Sequence, residues 1–312
     1  TTRFFRDQSR SILASNDSPD IPFEFSLNPY RGCEHGCIYC YARPTHEWLG
    51  LSAGLDFESR ILVKEDAPEL LRRELNSTRW VPQTISVGSV TDAYQPIERR
   101  LELTRRCLRV LADFRNPFGI VTKSALATRD IDILREMAAI HAVAVFVSVT
   151  TLDRDLARVM EPRASAPEAR LRAIEQLAAA GVPVGVMNAP IIPGLNDHET
   201  PAILEAAAQA GAQSAGYVVL RLPFGLKEIF ADWLERHYPT KKERVLGRLR
   251  EIRGGKLNDT RFGVRMSGEG EWAEVFRRLF RLHRSRVGMK DRLEPLSAAS
   301  FRNDRPVQRT LF

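Results

Sequence analysis

Short apolar segments rich in β-forming residues recur along the chain roughly every thirty residues. Six of them are predicted as strands, at 23–27, 84–90, 119–122, 142–149, 182–188 and 215–220. Helical patterns separate most of these strands, at 97–113, 131–140, 168–180 and 200–210. Several strands are apolar at consecutive positions, as expected when helices cover both faces of a sheet. The alternation therefore predicts an α/β fold built from parallel βαβ units.

Two architectures fit this alternation. Six repeats suit a partial (β/α)6 barrel better than a closed eight-unit barrel, and periodicity alone also permits an open Rossmann-like sheet. The pattern changes after residue 222, where helices are predicted at 225–237, 241–253 and 271–286 and a strand at 262–266. We therefore divide the chain into a flexible segment (1–20), a barrel (21–222), a C-terminal extension closing the barrel's open side (223–290) and a tail (291–312).

Composition narrows the class of protein. Apolar residues make up 44% of the 312, enough for a sizeable core. No apolar run approaches the roughly eighteen residues of a membrane span, and no signal peptide is visible, although the chain begins at Thr1. Only four cysteines are present, which suits a reducing cytoplasm. The net charge of +7 favours an acidic partner such as nucleic acid, and it is equally compatible with an ordinary solvated surface.

The candidate chemistry is concentrated in one segment, where Cys33, Cys37 and Cys40 form a C-x3-C-x2-C pattern. Three thiolates this close can bind three irons of a [4Fe-4S] cubane, which leaves the fourth iron open to a small molecule. A structural zinc site is the main alternative, with His35 or His46 as the fourth ligand. A disulfide framework would require an even number of cysteines in a short secreted chain, and Cys107 lies far away.

Polar residues follow four further predicted strands, where barrel enzymes carry their active sites. They are Thr91 and Asp92, Lys123, Ser148 and Thr150, and Asn188. Asp92 can bind an ammonium group, Thr91 can donate to a carboxylate, and Lys123 is a point positive charge. The hydroxyls of Ser148 and Thr150 can bond a ribose. Each of these residue types is also common in turns and caps.

The cysteine pattern is that of the radical S-adenosylmethionine (SAM) enzymes, and further segments carry the resemblance. They are 91–98 (TDAYQPIE), 122–124 (TKS), 129–130 (RD), 160–162 (MEP), 190–197 (PIIPGLND) and 220–223 (LRLP). Together they resemble the radical SAM family related to spore photoproduct lyase, often labelled DNA repair photolyases, from about residue 20 to the end.

The resemblance implies a partial (β/α)6 radical SAM barrel. It further implies a [4Fe-4S] cluster on the three cysteines, reductive cleavage of SAM to a 5'-deoxyadenosyl radical, and a reductant such as flavodoxin or ferredoxin. It places Tyr39, Tyr41, Thr91, Lys123 and Ser148 near SAM. The expected substrate is a nucleic acid or nucleotide-like molecule. The alternative function is a non-catalytic zinc- or cluster-binding adaptor in DNA maintenance.

One departure from the family bears on the reaction. Spore photoproduct lyase uses a cysteine just upstream of its second-strand Ser-Asp pair as hydrogen donor. The corresponding residues 87–90 are Val-Gly-Ser-Val, and Cys107 is predicted to be a small core residue. The resemblance to this family therefore does not imply that the chain catalyses the reaction of spore photoproduct lyase.

Two C-terminal features suggest partners. A basic helix can follow a phosphate backbone, or it can be an ordinary solvated face. The basic residues after residue 276 are Arg277, Arg278, Arg281, His283, Arg284, Arg286, Lys290 and Arg292. The apolar face of this helix is predicted from Trp272, Phe276, Leu279, Phe280 and Leu282. The last five residues, with Gln308, Leu311 and Phe312, resemble a sliding-clamp docking peptide, although Arg309 departs from it. Alternatively, Leu311 and Phe312 fold back onto the barrel.

Overall fold

The computed structural model describes residues 1–303, and within them the chain forms ten strands and eleven α-helices. The strands are β1 (Arg3–Arg6), β2 (Leu13–Ser15), β3 (Phe25–Leu27), β4 (Tyr30–Arg31), β5 (Arg60–Val63), β6 (Ile85–Val87), β7 (Phe118–Thr122), β8 (Val143–Ser148), β9 (Val184–Ile191) and β10 (Ser214–Val219). The helices are α1 (Leu55–Ser59), α2 (Ala67–Leu75), α3 (Glu98–Leu101), α4 (Leu103–Asp113), α5 (Ile131–Ala138), α6 (Arg154–Met160), α7 (Pro167–Ala179), α8 (Thr200–Gln209), α9 (Leu226–His237), α10 (Pro239–Glu251) and α11 (Glu271–Arg286). Three 3₁₀ helices lie at Arg43–Leu49, Ala125–Asp130 and Asp197–Glu199.

A seven-stranded sheet organises the molecule, in the order β10-β9-β8-β7-β6-β3-β2. From β3 to β10 all neighbouring strands are parallel, and only β2 is antiparallel to its neighbour. The six parallel strands are in sequence order, and each is joined to the next by a segment containing at least one helix. The order 3-6-7-8-9-10 is that of a partial (β/α)6 barrel and excludes the order reversal of a Rossmann-like sheet.

The six predicted barrel strands all form, with ends that differ by a few residues. The predicted helix 97–113 is instead two helices, because Glu102 adopts a left-handed φ of 48° between α3 and α4. The break allows the buried Glu98 carboxylate to accept hydrogen bonds from the backbone N–H groups of Thr104 and Arg105 at the start of α4. The hydrogen bonds of the buried Glu98 side chain thus break a helix that the apolar periodicity predicts to be continuous.

Two sequence predictions at the chain's flanks differ from the structure. Residues 1–20, expected to be a flexible segment, contain β1 and β2, since β1 pairs with β5 and β2 with β3. The strand predicted at 262–266 is a series of turns. Gly263 and Gly268 adopt φ angles of 78° and 75°, which break the extended path that the apolar alternation suggested.

The C-terminal extension covers the exposed edge of β10. The Val219 amide donates to the Met266 carbonyl at 2.8 Å, and the Lys290 amide donates to Gln213 at 2.9 Å. Helix α11 packs beside α8, and its Phe276 and Phe280 contact Tyr217 of β10. No helix within residues 1–303 is long and apolar enough to cross a membrane.

The predicted apolar face of α11 is correct only in part. Phe276 and Phe280 are buried, whereas Leu279 and Leu282 are 47% and 62% exposed. Those two leucines lie off the side of the helix that contacts β10. The clamp-like residues Gln308, Leu311 and Phe312 lie outside the described residues, so that interpretation stays a prediction.

Candidate functional site

The cysteine loop, residues 32–42, lies between β4 and the 3₁₀ helix Arg43–Leu49. It is bound at its start and in its middle, because the Cys33 amide donates to the Phe57 carbonyl and the Ile38 amide donates to the Met160 carbonyl, each at 3.0 Å. Thr91, which follows β6, donates to the Gly32 carbonyl at 2.6 Å. The loop therefore lies over the carboxyl ends of the barrel strands.

Arg43 holds the loop's backbone in place. Its buried guanidinium donates to the carbonyls of Gly36 and Cys37, both at 2.9 Å, and pairs with Glu58 at 3.0 Å. Gly36 itself has a φ of 68°, and a side-chain carbon there would lie 2.4 Å from a Glu58 carboxylate oxygen. The loop path thus depends on glycine at this position.

The three cysteine thiols lie close enough to one another to influence each other's ionisation. Burial raises the pKa of Cys33 well above its ordinary value, and the nearby Asp92 carboxylate and the Cys37 and Cys40 thiols raise it further. Burial likewise raises the pKa of Cys37 to about 12. Buried thiols need a strong positive charge to become thiolates, and a bound metal centre supplies it.

The donor set fits a cluster better than a single ion. Within residues 1–303 no group of three or more His, Cys, Asp or Glu side chains is arranged to hold a metal ion. One zinc ion, about 2.3 Å from each sulfur, would draw its ligands together, whereas a cubane spreads them over separate irons. Each histidine proposed as a fourth zinc ligand has one ring nitrogen engaged elsewhere. His35 Nδ1 lies 3.3 Å from Asp92, and His46 Nε2 lies 3.0 Å from the Arg60 carbonyl.

Asp92 is surrounded by donors. Its oxygens accept from Thr122 Oγ1 at 2.7 Å, from the Lys123 amide at 2.8 Å and from the Tyr94 amide at 2.9 Å, besides the contact with His35. Burial alone would raise the pKa of Asp92, but His35 and these hydrogen bonds hold it well below its usual range. Asp92 therefore joins the ends of β6 and β7 as a carboxylate, and its predicted role toward SAM stays a prediction.

The β8 cluster, defined as Tyr39, Thr150, Glu161 and Arg170, ties the cysteine loop to the end of β8. Glu161 accepts hydrogen bonds from Tyr39, from Thr150 at 2.7 Å and from Arg170. Arg170 also donates to the Ser148 carbonyl at 3.1 Å. Burial favours the neutral acid, but Arg170 and then Lys123 lower the pKa of Glu161 to about 2. The cluster is thus a buried, neutralised ion pair.

The remaining predicted residues divide into two groups. Lys123 lies with its Nζ 5.7 Å from the Tyr39 ring centroid, and the Tyr41 hydroxyl donates to the Ser89 carbonyl, so both line the loop. Ser148 is buried at the end of β8. Asn188 bonds the Val149 carbonyl and Thr200 Oγ1, which joins β9 to its neighbours.

Three residues of the site were missed from the sequence: Arg43, Glu161 as an ion-pair partner, and Arg170. Arg170 carried a signal, because it occupies the stripe of α7 that also contains Ala173, Ile174 and Leu177, all buried. An arginine in an otherwise apolar stripe predicts a buried partner. Arg43 carried none, since its role depends on the path of the loop.

Comparison with known proteins decides the family. Residues 27–207 match the family model of the Radical SAM superfamily. The chain belongs to the radical SAM superfamily. It is a radical SAM enzyme, and its cofactors are those of the family, a [4Fe-4S] cluster and SAM.

Relatives of this radical SAM enzyme occur in bacteria and archaea. An uncharacterised protein of Mycobacterium tuberculosis is 37% identical over 234 residues, covering 74% of this chain and 68% of the relative. One from Methanocaldococcus jannaschii is 32% identical over 220 residues, covering 70% and 78%.

Solved structures of spore photoproduct lyase share the fold. The lyase complexed with dinucleoside spore photoproduct superimposes with a TM-score of 0.64 at 19% identity, covering 92% of this chain and 80% of the lyase. A double mutant of the lyase with bound AdoMet and the same dinucleoside gives a TM-score of 0.61 at 17% identity, with the same coverage.

Proposed function

We propose that this radical SAM enzyme binds its [4Fe-4S] cluster through Cys33, Cys37 and Cys40 and acts on a nucleic acid or nucleotide-like substrate. The observation that carries the proposal is the set of three thiols on one loop over the carboxyl ends of the barrel strands, with Cys33 and Cys37 buried and Cys40 half-buried. When bound, the cluster supplies the electron that cleaves SAM to methionine and a 5'-deoxyadenosyl radical, which abstracts hydrogen from the substrate.

The surrounding residues bind and orient. Lys123 forms no ion pair within residues 1–303, so its ammonium group is available to the SAM carboxylate. The β8 cluster holds Tyr39, and with it the cysteine loop, in a fixed position. Thr91 and Ser148 lie at strand ends where they complete the SAM site. Because the cluster needs an electron for each cleavage, we include a flavodoxin or ferredoxin as partner.

The substrate class rests on charge and on the likeness to spore photoproduct lyase. The chain carries a net charge of +7, and the lyase binds a dinucleoside in the solved complex. The reaction differs from that of the lyase in one respect. Residues 87–90 (Val-Gly-Ser-Val) contain no cysteine in the region where the lyase has its hydrogen donor, and Cys107 is buried within α4. We therefore propose hydrogen abstraction from a nucleotide unit without return of hydrogen from a thiol.

Anaerobic reconstitution tests the proposal. We expect a brown protein whose broad visible absorbance bleaches with dithionite and which releases 5'-deoxyadenosine from SAM. Deuterium from a labelled oligonucleotide should appear in the 5'-deoxyadenosine if the substrate is a nucleic acid. A colourless protein with stoichiometric zinc and no SAM cleavage would contradict the proposal.

A further inference from the structure

Arginines are concentrated at the carboxyl end of β10. Arg221 follows this strand by two residues, and Arg253 and Arg265 lie beside it. Arg265 pairs with Asp20, while Arg253 donates to the carbonyls of residues 219, 220, 264 and 265. We call Arg221, Arg253, Arg265 and Asp20 the β10 cluster. It holds three guanidinium groups and one carboxylate, so it is positively charged.

Arg221 is the member with the fewest hydrogen bonds within residues 1–303, because Arg265 pairs with Asp20 and Arg253 donates to four backbone carbonyls. Its Nε is buried without a hydrogen-bond partner, and its nearest acceptor is the Met266 sulfur at 3.6 Å from Nη1. No carboxylate within residues 1–303 pairs with it. Burial lowers the pKa of Arg221, and the neighbouring Arg265 lowers it further. A half-buried guanidinium in this state is costly unless an anion binds it.

Arg221 faces the cysteine loop. Its guanidinium carbon lies 5.8 Å from the ring centroid of Tyr41, which follows Cys40 directly. An anion bound by Arg221 would therefore lie next to the place where the substrate is activated. The planar guanidinium fork matches the oxygens of a phosphate group, which makes phosphate a better fit than a single hydroxyl or carbonyl.

Phe224, three residues after Arg221, is the second feature of this turn. It adopts a φ of 49°, which is rare for a bulky side chain, and it is nevertheless 69% exposed. Leu222 is fully buried and anchors the turn between the two residues. Strained backbone that displays an exposed ring is characteristic of ligand-binding segments.

The 3₁₀ helix Arg43–Leu49 comes close to this turn, since a side-chain carbon at Gly225 would lie 3.8 Å from a Glu47 carboxylate oxygen. Trp48 follows Glu47 in that helix. The Trp48 side chain is 81% exposed. Exposed aromatic rings beside a basic group are the features that bind unpaired nucleotides, because the rings stack on bases while the cation binds the backbone.

We propose that the turn 221–224 binds a single-stranded nucleic acid, with Arg221 bound to a phosphate and Phe224 stacked on a base beside the cysteine loop. This inference rests on the proposed function and specifies its substrate. It assigns the contact with nucleic acid to this turn rather than to the basic residues of α11.

The test measures binding by the reconstituted holoenzyme under anaerobic conditions, using fluorescence anisotropy. The probes are a labelled single strand of about 12 nucleotides and an abasic strand of equal length. Arg221→Gln should weaken binding of both strands about tenfold, because a charge-assisted contact is lost. Phe224→Ala should weaken only the strand that has bases. Arg135→Gln, on an exposed position of α5, is the matched control and should bind like wild type.

Several results would overturn the inference. Unchanged oligonucleotide affinity in Arg221→Gln would do so, as would a wild-type enzyme that binds no single strand. A loss of SAM affinity with intact oligonucleotide affinity would assign Arg221 to the SAM carboxylate instead. Arg221→Lys retains the positive charge but not the planar guanidinium group, so it should bind the oligonucleotide with intermediate affinity. That result would show that the loss of binding in Arg221→Gln is not a folding defect. SAM cleavage by the wild type without oligonucleotide is measured in parallel, since its absence would instead overturn the proposed function.

Discussion

The two arginine clusters at the barrel mouth are built in opposite ways. In the β8 cluster the fully buried Arg170 is neutralised by Glu161, and Glu161 has all its oxygens engaged. In the β10 cluster Arg221 has no carboxylate and one orphaned N–H. The cysteine loop joins them, because Tyr39 bonds the first and Tyr41 contacts the second. A satisfied buried pair fixes a structure, whereas an unsatisfied cation provides a place for a ligand.

The largest effect is expected at the loop between the two clusters. Cys33→Ala, Cys37→Ala or Cys40→Ala should each abolish cluster assembly, since these thiols share the site. Cys107→Ala should not, because Cys107 is buried in α4. Iron content and visible absorbance after reconstitution measure the effect. Normal iron loading in Cys37→Ala would refute the ligand assignment.

Removing one arginine from each cluster should separate stability from binding. Arg170→Met leaves the buried Glu161 carboxylate uncompensated and should lower the free energy of unfolding by about 3 kcal/mol. Arg221→Met removes an unpaired cation and should change it little. Urea denaturation of both variants provides the comparison. Equal losses would show that the two clusters do not differ in the way described.

Acid should weaken the β8 cluster. The pKa of Glu161 is lowered from 4.5 to about 2, so its stabilising contribution is complete above about 4.5 and is lost as the pH falls toward 2. The difference in unfolding free energy between wild type and Glu161→Gln should therefore shrink over that range. Urea denaturation at successive pH values measures it. A difference that does not vary with pH would place the stabilising charge elsewhere.

Lys123 offers a smaller test beside the β8 cluster. Lys123→Ala should weaken SAM binding about tenfold and leave the cluster in place, because a carboxylate would lose one charged partner. Perturbation of the EPR spectrum of the reduced cluster by SAM gives the affinity. Lys241→Ala on α10 is the control. An unchanged affinity for SAM would show that Lys123 does not bind the SAM carboxylate.

The smallest effect should come from the backbone of the loop. Gly36→Ala forces a side-chain carbon against Glu58 and should reduce iron loading in part. Gly50→Ala has nearly the same φ, 70°, but no atom within 4 Å, so it isolates the cost of the backbone angle, about 1 kcal/mol. Equal iron loading in the two variants would show that the contact with Glu58 is unimportant.

The parts predicted well from the sequence depend on local patterns. The six parallel strands carry apolar runs, helices α7 and α8 are bounded by Pro and Gly, and the cysteines have a specific spacing. The family resemblance then chose the partial barrel over a Rossmann-like sheet, and the strand order confirms that choice.

The parts predicted wrongly depend on contacts between distant residues. The turns at 262–266 look like a strand locally, but the buried Arg253 guanidinium binds the carbonyls of residues 264 and 265 and holds them in that shape. Residues 1–20 become strands only because β3 and β5 offer free edges. Arg170 of α7 pairs with Glu161, which directly follows α6. The periodicity of the sequence does not show which carboxylate this arginine contacts.

The cover over the β10 edge has a consequence for synthesis of the chain. Met266 and Lys290 satisfy the edge groups of this strand, yet both leave the ribosome well after residues 214–219 have been made. Until then a nascent chain presents an unpaired parallel strand, and such an edge readily pairs with other polypeptides. A chain terminated before residue 260 would retain the whole cysteine loop and still be prone to aggregate. Residues 260–303 therefore also protect the chain against aggregation.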